Sequence, residues 1–396
     1  MSRILVLGAG RGQVDLIKTA KRMGHEVLVA THADHYPGVP LADKICYVDI
    51  ANAQNVLQIA QNEQIEAIVT ACLDTGIEAL GYTCEKMNLP GLSYDAAKRA
   101  NDKLLMKDAL IANQVSTAEY RKVTCAEDLE IIINTMPFPL IIKAVDLQGS
   151  RGIYICQTEE ELRDNYRSVQ IQTKKDYCIV EEFIVGREFG AEAFVCNGEI
   201  LFVLPHGKNN YMSATGVPIG HFAPLDRDDA FLKQCEEVVS AAIEALRLDN
   251  CAVNVDLIER DGQIYIIELT GRVGANCLPE LVSLYYGVDY YEMIVACAAG
   301  GDPAKIFNNR SGQGVANASR MITLEKTGIL KKIENKNVSD DPRVYNITFF
   351  VNAGDEVRKF TNSNDCVAQV VVTGQSYDDC DRKIKEVIRN IEFVIE

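Results

Sequence analysis

The chain has 396 residues, of which 47% are hydrophobic and 24% charged, and carries a formal net charge of -16. At roughly 150 residues per domain that length predicts two or three domains, and the composition excludes wholesale disorder. The acidity excludes non-specific binding to nucleic acid or anionic membrane, since both need a positive surface field. Any site for a polyanion must therefore be built locally. Thirteen cysteines are scattered without a CxxC pair, as reduced, buried thiols are. No run approaches the roughly 18 apolar residues of a membrane span, the opening apolar run is too short for a signal peptide, and the expected compartment is the cytoplasm.

Ile4-Leu5-Val6-Leu7-Gly8 reads as a buried parallel strand ending in a Gly-rich turn, followed by an amphipathic helix through Met23 and a strand over residues 25–30. The pattern repeats with a strand over 66–70 and a helix over 74–87, so residues 1–100 read as a doubly wound, Rossmann-like α/β domain. A helical connector is predicted over 95–113. From Ser116 strands crowd together (140–144, 152–157, 178–183, 188–196 and 199–205), which implies an α+β region. A helix over 229–246, a hairpin over 252–269 and a helix over 279–299 follow. Strands over 317–323, 345–351 and 367–373, with a helix over 377–391, suggest a third α+β module from residue 309 onward.

Gly8-Ala9-Gly10-Arg11-Gly12 partly matches a dinucleotide fingerprint, in which glycines let backbone approach a pyrophosphate. Gln13 stands where the third glycine belongs, and the first acid after the second strand, Asp34, comes late. A tight turn exposing backbone N–H groups is the preferred reading.

Lys143 closes the apolar strand Leu140-Ile141-Ile142-Lys143-Ala144, where a charge is costly unless it meets an opposite one. The turn Gly149-Ser150-Arg151-Gly152 follows, with backbone donors and a guanidinium suited to phosphate oxygens. Alone, each has a bland alternative, a solvated lysine or a plain hairpin loop; together they predict a phosphate site. Next come Glu181-Glu182-Phe183-Ile184 and Glu188, either a solvated acidic edge or a purine-edge strand whose Glu188 accepts from ribose hydroxyls. The hairpin around Arg260-Asp261-Gly262 decides more. A three-residue loop would gather Asn254, Asp256, Glu268 and Thr270 on one face; a two-residue turn would put Asp256 and Glu268 on opposite faces. Converging strand carboxylates repel unless a cation lies between them, and oxygen ligands so placed suit Mg²⁺ bridging phosphates. Arg272 is then positioned to stabilise a transferring group. Histidines in the segments 206–211 and 215–221, read as loops, are candidates for an acceptor pocket or are merely solvated.

The order of parts (strand-end lysine, GSRG turn, EEFI with a following Glu, and an acid pair twelve apart closing on an arginine) resembles the ATP-grasp superfamily, over most of the chain. It is most similar to the biotin carboxylase and carbamoyl-phosphate synthetase-like branch, which includes phosphoribosylglycinamide synthetase and amino-acid ligases. The resemblance implies a pre-ATP-grasp Rossmann-like domain over 1–100, an ATP-grasp domain over 101–308 with a lid at about 116–184, and a small C-terminal α+β module over 309–396. Asn101-Asp102-Lys103 matches the family's Asp-Lys, which would make Lys103 a phosphate ligand beside Lys143 and the 149–152 turn. Glu181 and the backbone of Glu182, Phe183 and Ile184 would hold adenine, Glu188 the ribose, and Asp256, Glu268 and Thr270 the metal. Thr270 stands where relatives commonly place Asn, and its hydroxyl is a weaker donor. The implied activity is an ATP- and Mg²⁺- (or Mn²⁺-) dependent carboxylate–amine or carboxylate–thiol ligase working through an acyl phosphate, with Arg272 catalytic. Small-molecule carboxylate and amine substrates are expected, with homodimerisation left open. The alternatives are a bicarbonate-using carboxylase, a nicotinamide-dependent oxidoreductase and a non-catalytic nucleotide-binding protein.

Overall fold

The computed structural model describes residues 2–147, 152–211, 217–312, 314–338 and 340–396, and they fall into two compact units. The first unit comprises Met1–Val203, Asp229–Val273 and Tyr291–Ala304. It opens on a parallel sheet in which Arg3–Leu7 lies between Glu26–Thr31 and Ala67–Val69, with Lys44–Tyr47 at one edge. Ile4, Leu5, Val6 and Leu7 are wholly buried, as a central parallel strand covered on both faces requires. The helices Val14–Arg22, Ala53–Asn62 and Ile77–Met87 complete the doubly wound pattern. Neither the short Lys44–Tyr47 strand nor the helix after it was expected.

The connector expected over 95–113 is two helices, Tyr94–Asn101 and Lys103–Ala112. Asp102 separates them. Its backbone is extended, and its carboxylate accepts from the N–H groups of Leu104 and Leu105 at 2.9 and 3.3 Å, an N-cap that restarts the helix and aims its first turn. Beyond it, an antiparallel sheet runs in the order Tyr120–Val123, Cys178–Glu182, Leu140–Ala144, Ile153–Cys156. The helices Ala126–Thr135 and Glu159–Gln172 cover one face with Leu129, Ile132, Leu162 and Val169. A second antiparallel set places Cys251–Arg260 between Arg187–Cys196 and Gln263–Thr270.

The second unit comprises Leu204–Asp228, Gly274–Tyr290 and Lys305–Glu396. Its strands run Val217–Ala223, Ala316–Ile322, Ala368–Gly374, Val344–Phe349 in spatial order, all antiparallel. The helix Tyr377–Arg389 buries Cys380, Ile384 and Val387 against them. A small sheet of Glu356–Val357, Gly328–Asn335 and Ile391–Ile395 was not foreseen. The helix expected over 279–299 is broken in two because Gly287, at φ 67, closes Leu278–Tyr286 in the left-handed conformation, a helix ending that glycine favours. All thirteen cysteines are free thiols. Among the described residues no helix is long and apolar enough to cross a membrane.

The hairpin turn yields a test of the fold. Asp261 and Gly262 sit at φ 52 and 77, and a side chain other than Asn or Asp is disfavoured there. Gly262→Ala should lower stability by about 1 kcal/mol while Asp261→Asn is neutral, as read from urea unfolding midpoints.

Candidate active site

The hairpin reaches the expected pairing by a different route. Arg260 pairs with Gln263, so the turn is two residues, Asp261-Gly262, and a regular ladder from it would set Asp256 opposite Ile267. The ladder instead shifts at Asp256/Leu257, where Leu257 pairs with Ile266 and Asp256 with Glu268. Ile267 is the extra residue of a β-bulge, which lets two residues on one strand oppose one on the other. Asn254 then pairs with Thr270, so Asn254, Asp256, Glu268 and Thr270 share a face. On the other neighbouring strand Gly190, which has no side chain, directly opposes Asp256.

Three sets of charges surround this face. Lys103, in the first turn after Asp102 and only 6% exposed, lies 3.1 Å from Glu268 and donates to the Leu147 carbonyl at 3.1 Å. Burial pulls its ammonium down, but Glu268, with Asp74 and Glu181 beyond, holds it above the ordinary lysine value. Glu181 is wholly enclosed, and its Oε2 lies 3.0 Å from both Lys143 and Lys107. Burial pushes this carboxyl up, yet the two lysines hold it below the usual range. Lys107 also donates to the Thr117 hydroxyl at 2.8 Å, which donates in turn to the Ile266 carbonyl at 2.7 Å.

The third set is centred on Asp74, which the sequence reading did not single out. Arg272 meets it with a two-pronged bond, Nε to Oδ1 and Nη2 to Oδ2, both 2.6 Å, the geometry in which guanidinium and carboxylate match best. Thr270 donates its hydroxyl to Asp74 at 2.9 Å. Burial raises the Asp74 carboxyl, but Arg272, then Thr270 and Lys103, holds it below the ordinary range. Arg272 further reaches Asn254 at 3.5 Å, and Asn254 donates to the buried Glu192 at 2.8 Å.

Along 181–188 the backbone donors are unequally engaged. The N–H of Glu182 goes to the Glu119 carbonyl at 2.8 Å and that of Phe183 to the Pro139 carbonyl at 3.1 Å. Among the described residues the N–H of Ile184 has no partner, which leaves a donor for a base edge. Glu182 is paired with Arg260, and Glu188 is exposed on its strand opposite Ile258. Gly149, Ser150 and Arg151 lie outside the described residues. Gly152, at φ 65, accepts the Ala144 N–H at 2.8 Å through its carbonyl.

Two expectations about other segments change. Gln13 folds its amide into the opening turn, accepting from the Gly10 N–H at 2.8 Å and donating to the Ala71 carbonyl. Its side chain thereby fills the bend that a third glycine would keep open for a pyrophosphate. His206 and His221 are on strands rather than loops. Both are buried in the second unit with rings edge-to-face at 5.1 Å, and burial, then His206 and Lys208, pushes His221 well below the ordinary imidazole value.

Stretches of this chain are similar to known proteins. Residues 136–280 match the family described as ATP-grasp domain, and residues 320–396 match L-amino acid ligase C-terminal domain 2. A crystal structure of phosphoribosylglycinamide synthetase from Anaerococcus prevotii is similar over 100% of both chains, at 45% identity and TM-score 0.87. The L-amino acid ligase of Bacillus licheniformis is similar over 100% of this chain and 99% of its own, at 18% identity and TM-score 0.86, which speaks to the fold alone. The alanine–anticapsin ligase of Bacillus subtilis (strain 168) is 24% identical over 278 residues, and the match spans 64% of this chain and 58% of that ligase.

Removing one partner of a buried ion pair leaves a charge uncompensated. Asp74→Asn should therefore cost about 3 kcal/mol of stability, with most of it recovered in the Asp74→Asn/Arg272→Met double variant. Denaturant midpoints check this, and a double variant no more stable than the single one would contradict the pairing.

Proposed function

This chain belongs to the ATP-grasp ligases, and from that premise we propose that it joins the carboxylate of an amino acid to an amine through an acyl phosphate. It is an ATP-dependent ligase that forms C–N bonds on small-molecule substrates, and its family uses a divalent metal. The carboxylate oxygen attacks the γ-phosphorus of ATP, the bond to the β,γ-bridging oxygen breaks, and ADP leaves. The amine then attacks the acyl carbon, loses a proton, and inorganic phosphate departs with the former carboxylate oxygen.

The observation that carries this reading is the bulge-set pairing of Asp256 with Glu268, with Lys103 at 3.1 Å from Glu268. Among the described residues no group of three or more His, Cys, Asp or Glu is spaced to cage a metal. Two opposed carboxylates and a threonine hydroxyl nevertheless fit Mg²⁺, which keeps waters and takes phosphate oxygens rather than an all-protein cage. Asp256 and Glu268, with Thr270 beside them, would hold it, and when bound it offsets charge on the phosphates. Lys103 and Lys143 neutralise phosphate oxygens, with residues 149–152 assigned to the same task. The Ile184 N–H and Glu181 address the base, and Glu188 the ribose. Arg272, held rigid by Asp74, stabilises the acyl phosphate and the oxyanion that follows; such preorganised donors are the largest usual contribution to acyl transfer.

The amino-acid assignment rests on the names of two relatives and of the family matched by residues 320–396, which share an amino-acid moiety: glycinamide, alanine, L-amino acid. The residue ranges 1–100, 101–308 and 309–396 are proposed as the functional parts, and the free thiols support a reducing compartment such as the cytoplasm.

Incubation with Mg-ATP, single amino acids and hydroxylamine in place of the amine should yield ADP and the amino-acid hydroxamate. Glu268→Ala should cut ADP release by about 100-fold or more without unfolding the protein. Wild-type ADP release by that variant would remove the metal assignment, and ADP release only with bicarbonate would replace the amino acid.

A further inference from the structure

Lys107 is the least expected charge in the molecule. It lies on the buried stripe Lys103, Met106, Lys107, Leu110 of its helix and is fully enclosed. Three electron-rich groups surround its nitrogen: Glu181 Oε2 at 3.0 Å, Thr117 Oγ1 at 2.8 Å and the Tyr120 ring, its centroid 5.7 Å away. The Thr117 hydroxyl spends its proton on the Ile266 carbonyl at 2.7 Å, so it must accept from Lys107. Burial pulls the Lys107 ammonium below the ordinary lysine value, opposed by Glu181 and helped by Lys143; the geometry around the nitrogen nevertheless suits an ammonium, which has three donors and no acceptor.

Glu181 is thus shared. Both lysines contact the same oxygen, and the three side chains together carry one surplus positive charge. Had Glu181 only Lys143 as partner, the pair would be neutral and would draw a polyanion weakly. We propose that Lys107 is a positioning residue that neutralises Glu181 from behind, so that the charge of Lys143 is left to act on the phosphates of the nucleotide. Lys107, fully enclosed, touches no substrate; it acts through Glu181. The proposal rests on the reading of Lys143 as a phosphate ligand, and the test separates the two.

The readout is the ratio of adenosine to ADP dissociation constants by calorimetry, which isolates what the phosphates contribute. Lys107→Met should lower the ratio about ten-fold, the scale of one lost charge at low effective screening, with adenosine affinity little changed. Lys107→Met/Glu181→Gln restores the surplus charge and should recover most of the ratio, whereas a residue that mattered only for packing would not be rescued by a second buried change. Glu181→Gln alone should raise the ratio above wild type. If Lys107→Met does not fold, the ratio for Glu181→Gln against that of the double variant measures the same charge. An unchanged ratio in Lys107→Met, a double variant no better than the single one, or equal ratios for Glu181→Gln and the double variant would each overturn the proposal. Lys143→Met separates the failures. A ratio unmoved there refutes the phosphate reading itself, while a fall there with none in Lys107→Met refutes only the part given to Lys107.

Discussion

One carboxylate shared by two lysines governs the first unit. Glu181 is 1% exposed, and an ionised group so enclosed is tolerated only with its charge answered; both lysines meet its Oε2, while Oε1 has no partner among the described residues. The fold answers from three directions. Lys143 lies on the neighbouring antiparallel strand two residues from Ile141, which directly opposes Glu181. Lys107 comes from the helix capped by Asp102, and through Thr117 it is tied to Ile266 on the hairpin. Helix, sheet and hairpin therefore meet at a polar node where apolar packing would be the ordinary solution. Apolar contacts tolerate sliding; a charge network with fixed donors and acceptors does not, and this fixes the relative register of elements that carry the proposed nucleotide contacts.

The hairpin shows how a correct pairing can follow from a wrong turn. Asp-Gly between alternating strands is among the strongest signals for a two-residue turn, and that turn by itself separates Asp256 from Glu268. What reunites them is the bulge at Ile267, whose side chain packs with Ala118, Ile184 and Ile258. Ile267 is chemically indistinguishable from its neighbour Ile266, so no local residue announces a bulge; it follows from packing contacts distant in sequence. The two broken helices differ in this respect. Asp102 and Gly287 are ordinary cap and stop residues, and both interruptions were legible from residue type alone.

The parts of the site that the sequence made visible are those with local patterns: the strand-end Lys143, the acids in the hairpin strands, and Lys103 after an Asp. Asp74 was not visible, because its meaning lies in a contact with Arg272, 198 residues away. Lys107 had a signal that went unused, since a second lysine four residues after Lys103 falls on the same helical stripe as Met106 and Leu110, where an amphipathic helix keeps apolar residues. Gln13 had one as well. A glutamine in place of a fingerprint glycine can satisfy the turn with its own amide, as it does here with Gly10 and Ala71.

An acidic chain that handles a polyanion faces opposing demands. Its cations must be strong enough to overcome a net charge of -16, yet buried cations without partners would unfold the site that holds them. The structure meets both by giving each cation a carboxylate: Lys103 has Glu268, Lys143 and Lys107 share Glu181, and Arg272 has Asp74. Under the proposed function these pairs are not equivalent. Glu268 is 41% exposed in its side chain and can turn from Lys103 to a divalent cation, which frees the lysine for phosphate at the same moment. Glu181 and Asp74 are held too tightly to exchange, and so act as fixed counter-charges. Free ATP would then meet two carboxylates, Asp256 and Glu268, of like charge to its own phosphates, whereas the metal–nucleotide complex arrives with its own neutralising charge. Selection of the complex over the bare nucleotide thus follows from which of the three carboxylates is free to change partner.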